Sequence, residues 1–199
     1  MSKTVKILII VGVIVLLILG MSKCAFSTYN SMVSLDEETQ QAWAQVENVY
    51  QRRADLIPNL VATVKGYAQH EQGTLTAVIE ARAKATSVNI DPSNITPEQL
   101  AQFQEAQDQL SGALSRLLVS IERYPELKAN ENFMALQAQL EGTENRITVE
   151  RQKFNEKAME YNQYIRKFPR NIIASMFDFE KVGYFKAQAG AETAPKVEF

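Results

Sequence analysis

The sequence predicts an all-α protein: an antiparallel, up-and-down, four-helix-type bundle with a long kinked first helix, preceded by one N-terminal transmembrane helix. Three observations carry this expectation. Trp43, Val46, Tyr50, Arg53, Ile57, Leu60, Val64 and Tyr67 recur at steps of three and four, the a/d spacing of a helix packed against other helices. Two further runs of the same kind follow. Gly and Pro are sparse, at 8 and 6 of 199 residues, while Ala, Gln, Glu and Leu are plentiful, a composition that favours helix.

The first element is the N-terminal anchor. After a short flank over 1–6, Ile7 to Met21 holds no charged or strongly polar side chain. At about 1.5 Å per residue this stretch spans roughly 22 Å, short of the ~30 Å hydrocarbon core. Val5, Ser22 and the stems of Lys6 and Lys23 extend it by snorkelling, which gives a span over 7–23. A cleaved signal peptide has an apolar stretch of this length, but Met21-Ser22-Lys23-Cys24-Ala25 lacks the small residues its cleavage site needs. A lipoprotein anchored through Cys24 is the other alternative to an uncleaved helix, although Lys23 stands where a small residue belongs. Lys3, Lys6 and the α-amino group precede the span, and only Lys23 follows it closely. Lys/Arg excess marks the cytoplasmic side, so this count puts the following domain outside the cytoplasm.

The bundle is expected over 29–185. Its first helix starts near Ser34, with Asp36, Glu37 and Glu38 in the first turn, and runs to about Val88. Pro58 removes one hydrogen bond and crowds the carbonyl of Ala54. The heptad phase is unbroken on both sides, which favours a kink over a full break with Asp55 as a new N-cap. Asn89 to Asn94 reads as a turn. Thr96-Pro97-Glu98-Gln99 supplies an N-cap, a proline at the first helical position and a glutamine at the third. Leu100, Phe103, Gln107, Leu110, Leu114, Leu117, Ile121 and Tyr124 follow, and Pro125 ends or bends that helix. A third seam holds Phe133, Leu136, Leu140, Ile147, Phe154, Ala158, Tyr161, Ile165 and Phe168, capped by Asn130 and closed by Pro169. A short aromatic segment, Met176 to Phe185, precedes an extended or mobile tail over 186–199.

Little in the chain points to catalysis. Net charge is −2 with both signs mixed throughout, so no basic face invites nucleic acid. One cysteine allows no intrachain disulfide. His70-Glu71 suggests zinc, but Thr74 stands four residues on and no second histidine exists. Tyr67, three residues before His70, removes the Glu-x-x-His pair of di-iron bundles. Cys24 has no histidine base beside it. No catalytic, metal or cofactor residue is therefore expected.

Arg53 stands out as a charged residue on a core seam, costly unless paired and hydrogen-bonded. The third seam has a matching polar break at Thr143, Glu144 and Arg151. Antiparallel first and third helices would bring Arg53 to Glu144 or Glu150, with Gln107 from the second seam and Arg151 in the same polar layer. That layer fixes helix register, forms an anion or ligand site, or leaves Arg53 half-exposed and snorkelling. At the other end of the chain, Ala194 to Phe199 alternates apolar and polar residues. Pro195, Val197 and Phe199 suit docking on a partner by strand addition or pocket capture, against simple fraying of a chain end.

Several motifs in order resemble one family. Gln51-Arg52-Arg53-Ala54-Asp55-Leu56-Ile57-Pro58-Asn59-Leu60-Val61, then Val64-Lys65-Gly66-Tyr67 and His70-Glu71, is similar to the signature of the LemA family. Tyr29-Asn30, Glu144-Asn145-Arg146-Ile147, Tyr161-Asn162, Phe168-Pro169, Tyr184-Phe185, Gly190-Ala191 and Ala194-Pro195 extend the resemblance over nearly the whole chain. It implies a bacterial membrane protein with one N-terminal span and an antiparallel helical bundle. It carries no catalytic residue onto this chain, and it implies the opposite orientation, with the short N-terminus outside.

Two function classes follow. The first is a membrane-anchored scaffold or adaptor of the bacterial envelope, with membrane lipid, other envelope proteins or a second copy as partners; a membrane-shaping role is its variant. The second is a ligand-binding or stress-sensing module built on the Arg53 layer. A large exposed apolar patch favours the first, and a closed pocket lined by Arg53 the second.

Overall fold

The computed structural model describes residues 2–67 and 71–186. Among these it contains six helices and no strand: α1 (Lys3–Tyr67), α2 (Gln72–Ser87), α3 (Pro97–Ile121), α4 (Pro125–Lys128), α5 (Glu131–Arg166) and α6 (Arg170–Met176).

The expected anchor and the first half of the expected bundle helix are one element. The 65 residues of α1 run without interruption, a rod of about 98 Å at the ideal helical rise. No helix begins at Ser34. Residues 21–34 contain no Gly or Pro to stop a helix. The serines here sit inside the helix, where Ser22 and Ser31 donate to the carbonyls of Ile18 and Ser27, four residues back (2.8 and 3.0 Å). Over the apolar stretch every described side chain is exposed, and the first buried residue is Thr28.

The helix continues through Pro58 rather than breaking at Asp55. A proline leaves the carbonyl four residues earlier without its donor. Here that carbonyl belongs to Ala54, and Arg82 Nε of α2 donates to it at 2.7 Å. The same residue thus satisfies the orphaned carbonyl and ties α2 to α1.

The expected run to Val88 is corrected by the structure: α1 ends at Tyr67, and α2 is a separate helix that folds back on it. Ile57, Leu60 and Val64 of α1 share a core cluster with Leu75, Val78 and Ala85 of α2, which a straight continuation could not achieve. Gly66 and Gly73 flank the reversal and weaken helix there.

α1 and α5 pack antiparallel along most of their common length. Glu38 meets Lys157, Arg53 meets Glu144, and Tyr67 meets Asn130. α2 and α3 form a second antiparallel pair, marked by Glu71 with Arg123 and Lys84 with Gln109. The start of α3 has the expected capping box: Gln99 N–H donates to Thr96 Oγ1, and Thr96 N–H donates to Gln99 Oε1 (both 3.2 Å). Asn130 Oδ1 accepts from Phe133 N–H at the start of α5 (3.0 Å).

The core divides into three clusters along α1. Nearest the apolar stretch, Met32 packs with Tyr161, Ile165 and Ala174. In the middle, Trp43, Val46, Tyr50, Phe103, Phe154 and Phe185 form an aromatic cluster with Trp43–Phe103 centroids 5.3 Å apart. Farthest out, Ile57, Leu60, Leu110, Leu117 and Phe133 fill an aliphatic one. Phe168 is not part of the third seam. It is 81 % exposed, because α5 stops at Arg166 and the residue before Pro169 is steered away from helical geometry.

From Phe177 to Lys186 the chain runs back over the bundle without helix. Three amide side chains grip its backbone in two-bond clamps. Asn162 donates to Val182 O and accepts from Val182 N–H (2.8 and 3.0 Å). Asn155 does the same for Phe185 (3.0 and 2.9 Å), and Gln104 for Lys186 (3.0 and 3.2 Å). These amides take the place of a neighbouring strand for a segment that has none.

Candidate functional site

Arg53 lies on α1 between the aromatic and aliphatic clusters and is 2 % exposed. Its guanidinium is held by three partners from two helices. One terminal nitrogen donates to Glu144 Oε2 of α5 (2.9 Å) and to Ser111 Oγ of α3 (2.8 Å). The other donates to Gln107 Oε1 (2.7 Å). The Tyr50 ring lies 5.1 Å from Cζ, within cation–π range. Nε has no hydrogen-bond partner among the described residues. Gln107 also donates from Nε2 to Ala85 O at the end of α2 (3.2 Å), so α1, α2, α3 and α5 all meet at this level.

The ion pair is asymmetric. Arg53 is enclosed, whereas the Glu144 side chain is 48 % exposed. The carboxylate therefore keeps much of its hydration while neutralising a charge that has lost its own.

Two residues expected in the layer lie elsewhere. Glu150 pairs with Lys153 on the surface (2.8 Å). Six residues from Glu144 means about 240° around the helix, so both carboxylates cannot face Arg53. Arg151, seven residues on, shares the face of Glu144 but sits two turns along it. It donates to Lys186 O (2.8 Å) and lies 4.7 Å from the Phe185 ring. Ser111 joins the layer without having been expected; it stands four residues after Gln107 and hence on the same face of α3. Pro195, Val197 and Phe199 lie outside the described residues, as does His70.

Two concavities bear on binding. A recess of about 130 Å³ borders the layer at Tyr50, Ala54, Phe103 and Gln107, below the ~300 Å³ lower bound of small-molecule pockets. A trough of about 1250 Å³ follows the outward face of α3 through Pro97, Ala101, Asp108 and Gly112, walled by α2 at Ala77 and Lys84 and by the clamped segment at Val182 and Tyr184. Among the described residues no cluster of three or more His, Cys, Asp or Glu could hold a metal ion. Cys24 is exposed on α1, within the turn after the apolar stretch.

A family model described as the LemA family matches residues 42–199. The chain belongs to the LemA family. Among curated proteins, Magnetosome protein MamQ 2 and Magnetosome protein MamQ 1 of Paramagnetospirillum magneticum are each 26% identical to it over 182 residues. Those alignments cover 83% of this chain and 67% of each relative. Protein LemA of Metamycoplasma hominis is 25% identical over 158 residues, 79% of this chain and 68% of that protein. The similarity to magnetosome proteins and the long apolar start of α1 together support a membrane location for the chain.

Proposed function

We propose that the protein is a non-enzymatic, membrane-anchored helical scaffold or adaptor of the bacterial envelope, acting through contacts with other envelope proteins or with a second copy of itself. The observation that carries this reading is the trough along α3. It is elongated and open, its floor is lined by small residues such as Ala101 and Gly112, and its rim carries charges of both signs at Glu80, Lys84, Glu105 and Arg116. Small residues let a partner backbone approach closely, and a groove beside a helix suits a helix or an extended segment.

The ligand-sensing alternative is weaker, because Arg53 already spends its charge on Glu144 and its hydrogen bonds on Gln107 and Ser111. We read that layer as a register device within a four-helix-type arrangement of α1, α2, α3 and α5. A misaligned α5 would bury Arg53 without Glu144, so the pair selects one alignment. The apolar stretch of α1 is read as an uncleaved transmembrane helix, with the bundle outside the cytoplasm on the strength of Lys3 and Lys6 against Lys23.

A photo-crosslinking amino acid at Ala101 or Lys84 tests the scaffold reading in native membranes, with Val149, exposed and away from the trough, as control. Discrete protein adducts from the trough positions alone support it. Adducts equal at all three positions, or at none, sink it. For orientation, a Cys24→Ser, Ser87→Cys variant is treated with a thiol reagent that cannot cross membranes. Labelling of intact spheroplasts supports an extracytoplasmic bundle, and labelling only after lysis refutes it.

A further inference from the structure

An exposed apolar patch lies at the end of the bundle nearest the apolar stretch of α1. Phe168, Ile172 and Met176 follow one another at steps of four and are 81 %, 52 % and 71 % exposed, with Phe177 exposed beside them. The opposite face of α6 is spoken for: Ala174 is buried, and Ile173 packs on the cluster of Met32, Tyr161 and Ile165. A seven-residue helix with large apolar side chains on its outward face needs something to cover them.

The level of the patch identifies the cover. α1 is continuous, so height can be counted along it. Twenty residues from Ile7 reach Phe26 after about 30 Å, the thickness of the hydrocarbon core. Phe26 is itself exposed. Tyr29 stands about 5 Å higher, within the headgroup zone. The Phe177 ring contacts Tyr29, with centroids 4.8 Å apart, and Ala174 shares its cluster with Met32. α6 therefore lies at the depth where interfacial helices seat their apolar faces, about 5–10 Å into the headgroup and acyl boundary. Arg166 and Lys167 are exposed beside Phe168, where cationic side chains meet lipid phosphates. Asp178 and Glu180 are the acidic neighbours.

We infer that Phe168 and the outer face of α6 form a lipid-contacting foot, which seats the bundle on the bilayer surface beside the span. This rests on the reading of the α1 apolar stretch as membrane-spanning, and the test separates the two. The full-length Cys24→Ser protein is reconstituted in vesicles of phosphatidylcholine and phosphatidylglycerol. It carries one environment-sensitive fluorophore on a cysteine introduced as Met176→Cys, Ile172→Cys, Leu16→Cys or Val119→Cys. The quenchers are phosphatidylcholines with a nitroxide either high on the acyl chain, at the depth of Met176 and Ile172, or near its end, at the depth of Leu16. Val119 is exposed in the last turn of α3, at the far end of the bundle, and reports water.

The expected result is a blue shift and loss of emission at Met176 and Ile172 comparable with those at Leu16, and neither at Val119. Quenching at Leu16 with water-like emission at Met176 and Ile172 overturns the foot while leaving the span intact. No quenching at Leu16 overturns the span, and the foot with it. A blue shift at Met176 that lipid nitroxide does not quench, and that grows with protein density in the vesicle, means a second copy covers the patch and overturns the inference.

Discussion

Removing Arg53 should harm the protein less than removing its exposed partner. In Arg53→Met the stem volume is kept and the charge is gone. Gln107 Oε1 loses its 2.7 Å donor, a loss of about 1–3 kcal/mol for a buried acceptor. The relieved desolvation of the guanidinium offsets part of this, leaving a cost of about 1 kcal/mol. Glu144→Leu instead takes the paired carboxylate away from a 2 %-exposed guanidinium. Unpairing a buried charge costs about 3–5 kcal/mol, discounted here because Glu144 is half in water, so about 2 kcal/mol remains. In the double variant both members of the ion pair are gone, and the cost falls back to about 1 kcal/mol, a coupling of about 2 kcal/mol. Urea melts of the fragment beginning at Ser27 measure all four proteins. That fragment keeps every buried residue described, since the first is Thr28. Costs that add to within about 0.5 kcal/mol, or Arg53→Met costing more than Glu144→Leu, would refute the asymmetry argument.

Three further outcomes are expected. Arg82→Met should destabilise by about 1–2 kcal/mol by orphaning the Ala54 carbonyl, and the effect should largely vanish in a Pro58→Ala background, where residue 58 supplies its own N–H; equal costs in both backgrounds would show that the 2.7 Å bond contributes nothing. Gly183→Ala would place a Cβ 2.9 Å from Pro97 Cα, so the clamped segment must shift at about 1–3 kcal/mol, read as faster amide exchange over 181–186 than in the parent. Burial, more than the nearby Glu37, raises the Asp36 carboxyl above its ordinary 3.8, against the pull of the Gln40 hydrogen bond; a raised acid contributes stability only while protonated, which is lost as pH rises through the folded value. Asp36→Asn should accordingly raise the melting temperature at pH 7, with the gain shrinking below pH 4, and a gain independent of pH would rule out this cause.

The helical class was legible because seams recur wherever a helix packs, and the caps at Thr96 and Asn130 depend only on local chemistry. The end of α1 was hidden for a specific reason. Val64, Tyr67, Glu71, Leu75 and Val78 keep the three-four rhythm across the reversal, so periodicity cannot distinguish a turned helix from a straight one. The seamless start of α1 was missed because Ser34 followed by Asp36, Glu37 and Glu38 has the composition of a helix N-terminus, although it stands inside a continuous helix. In the polar layer, Arg53, Gln107 and Glu144 could be found from their seam positions. Glu150 could have been excluded by helical angle alone. Asn155 and Gln104 gave no signal, and Asn162 stood out only within the Tyr161-Asn162 motif, because an amide that grips a distant backbone looks like any polar surface residue until the chain returns to it.

A rod without a joint between lipid and bundle has a consequence for how the protein tolerates change in length. One residue inserted near Ser22 would turn everything above it by about 100° and lift it by about 1.5 Å. The trough would face another direction and α6 would leave its depth. Seven inserted residues nearly restore the heading, to within about 20°, but raise the bundle by about 10 Å. Heading and height are thus geared together like the turn and advance of a screw, and only an insertion close to a whole number of turns, such as 18 residues, changes the height and keeps the heading.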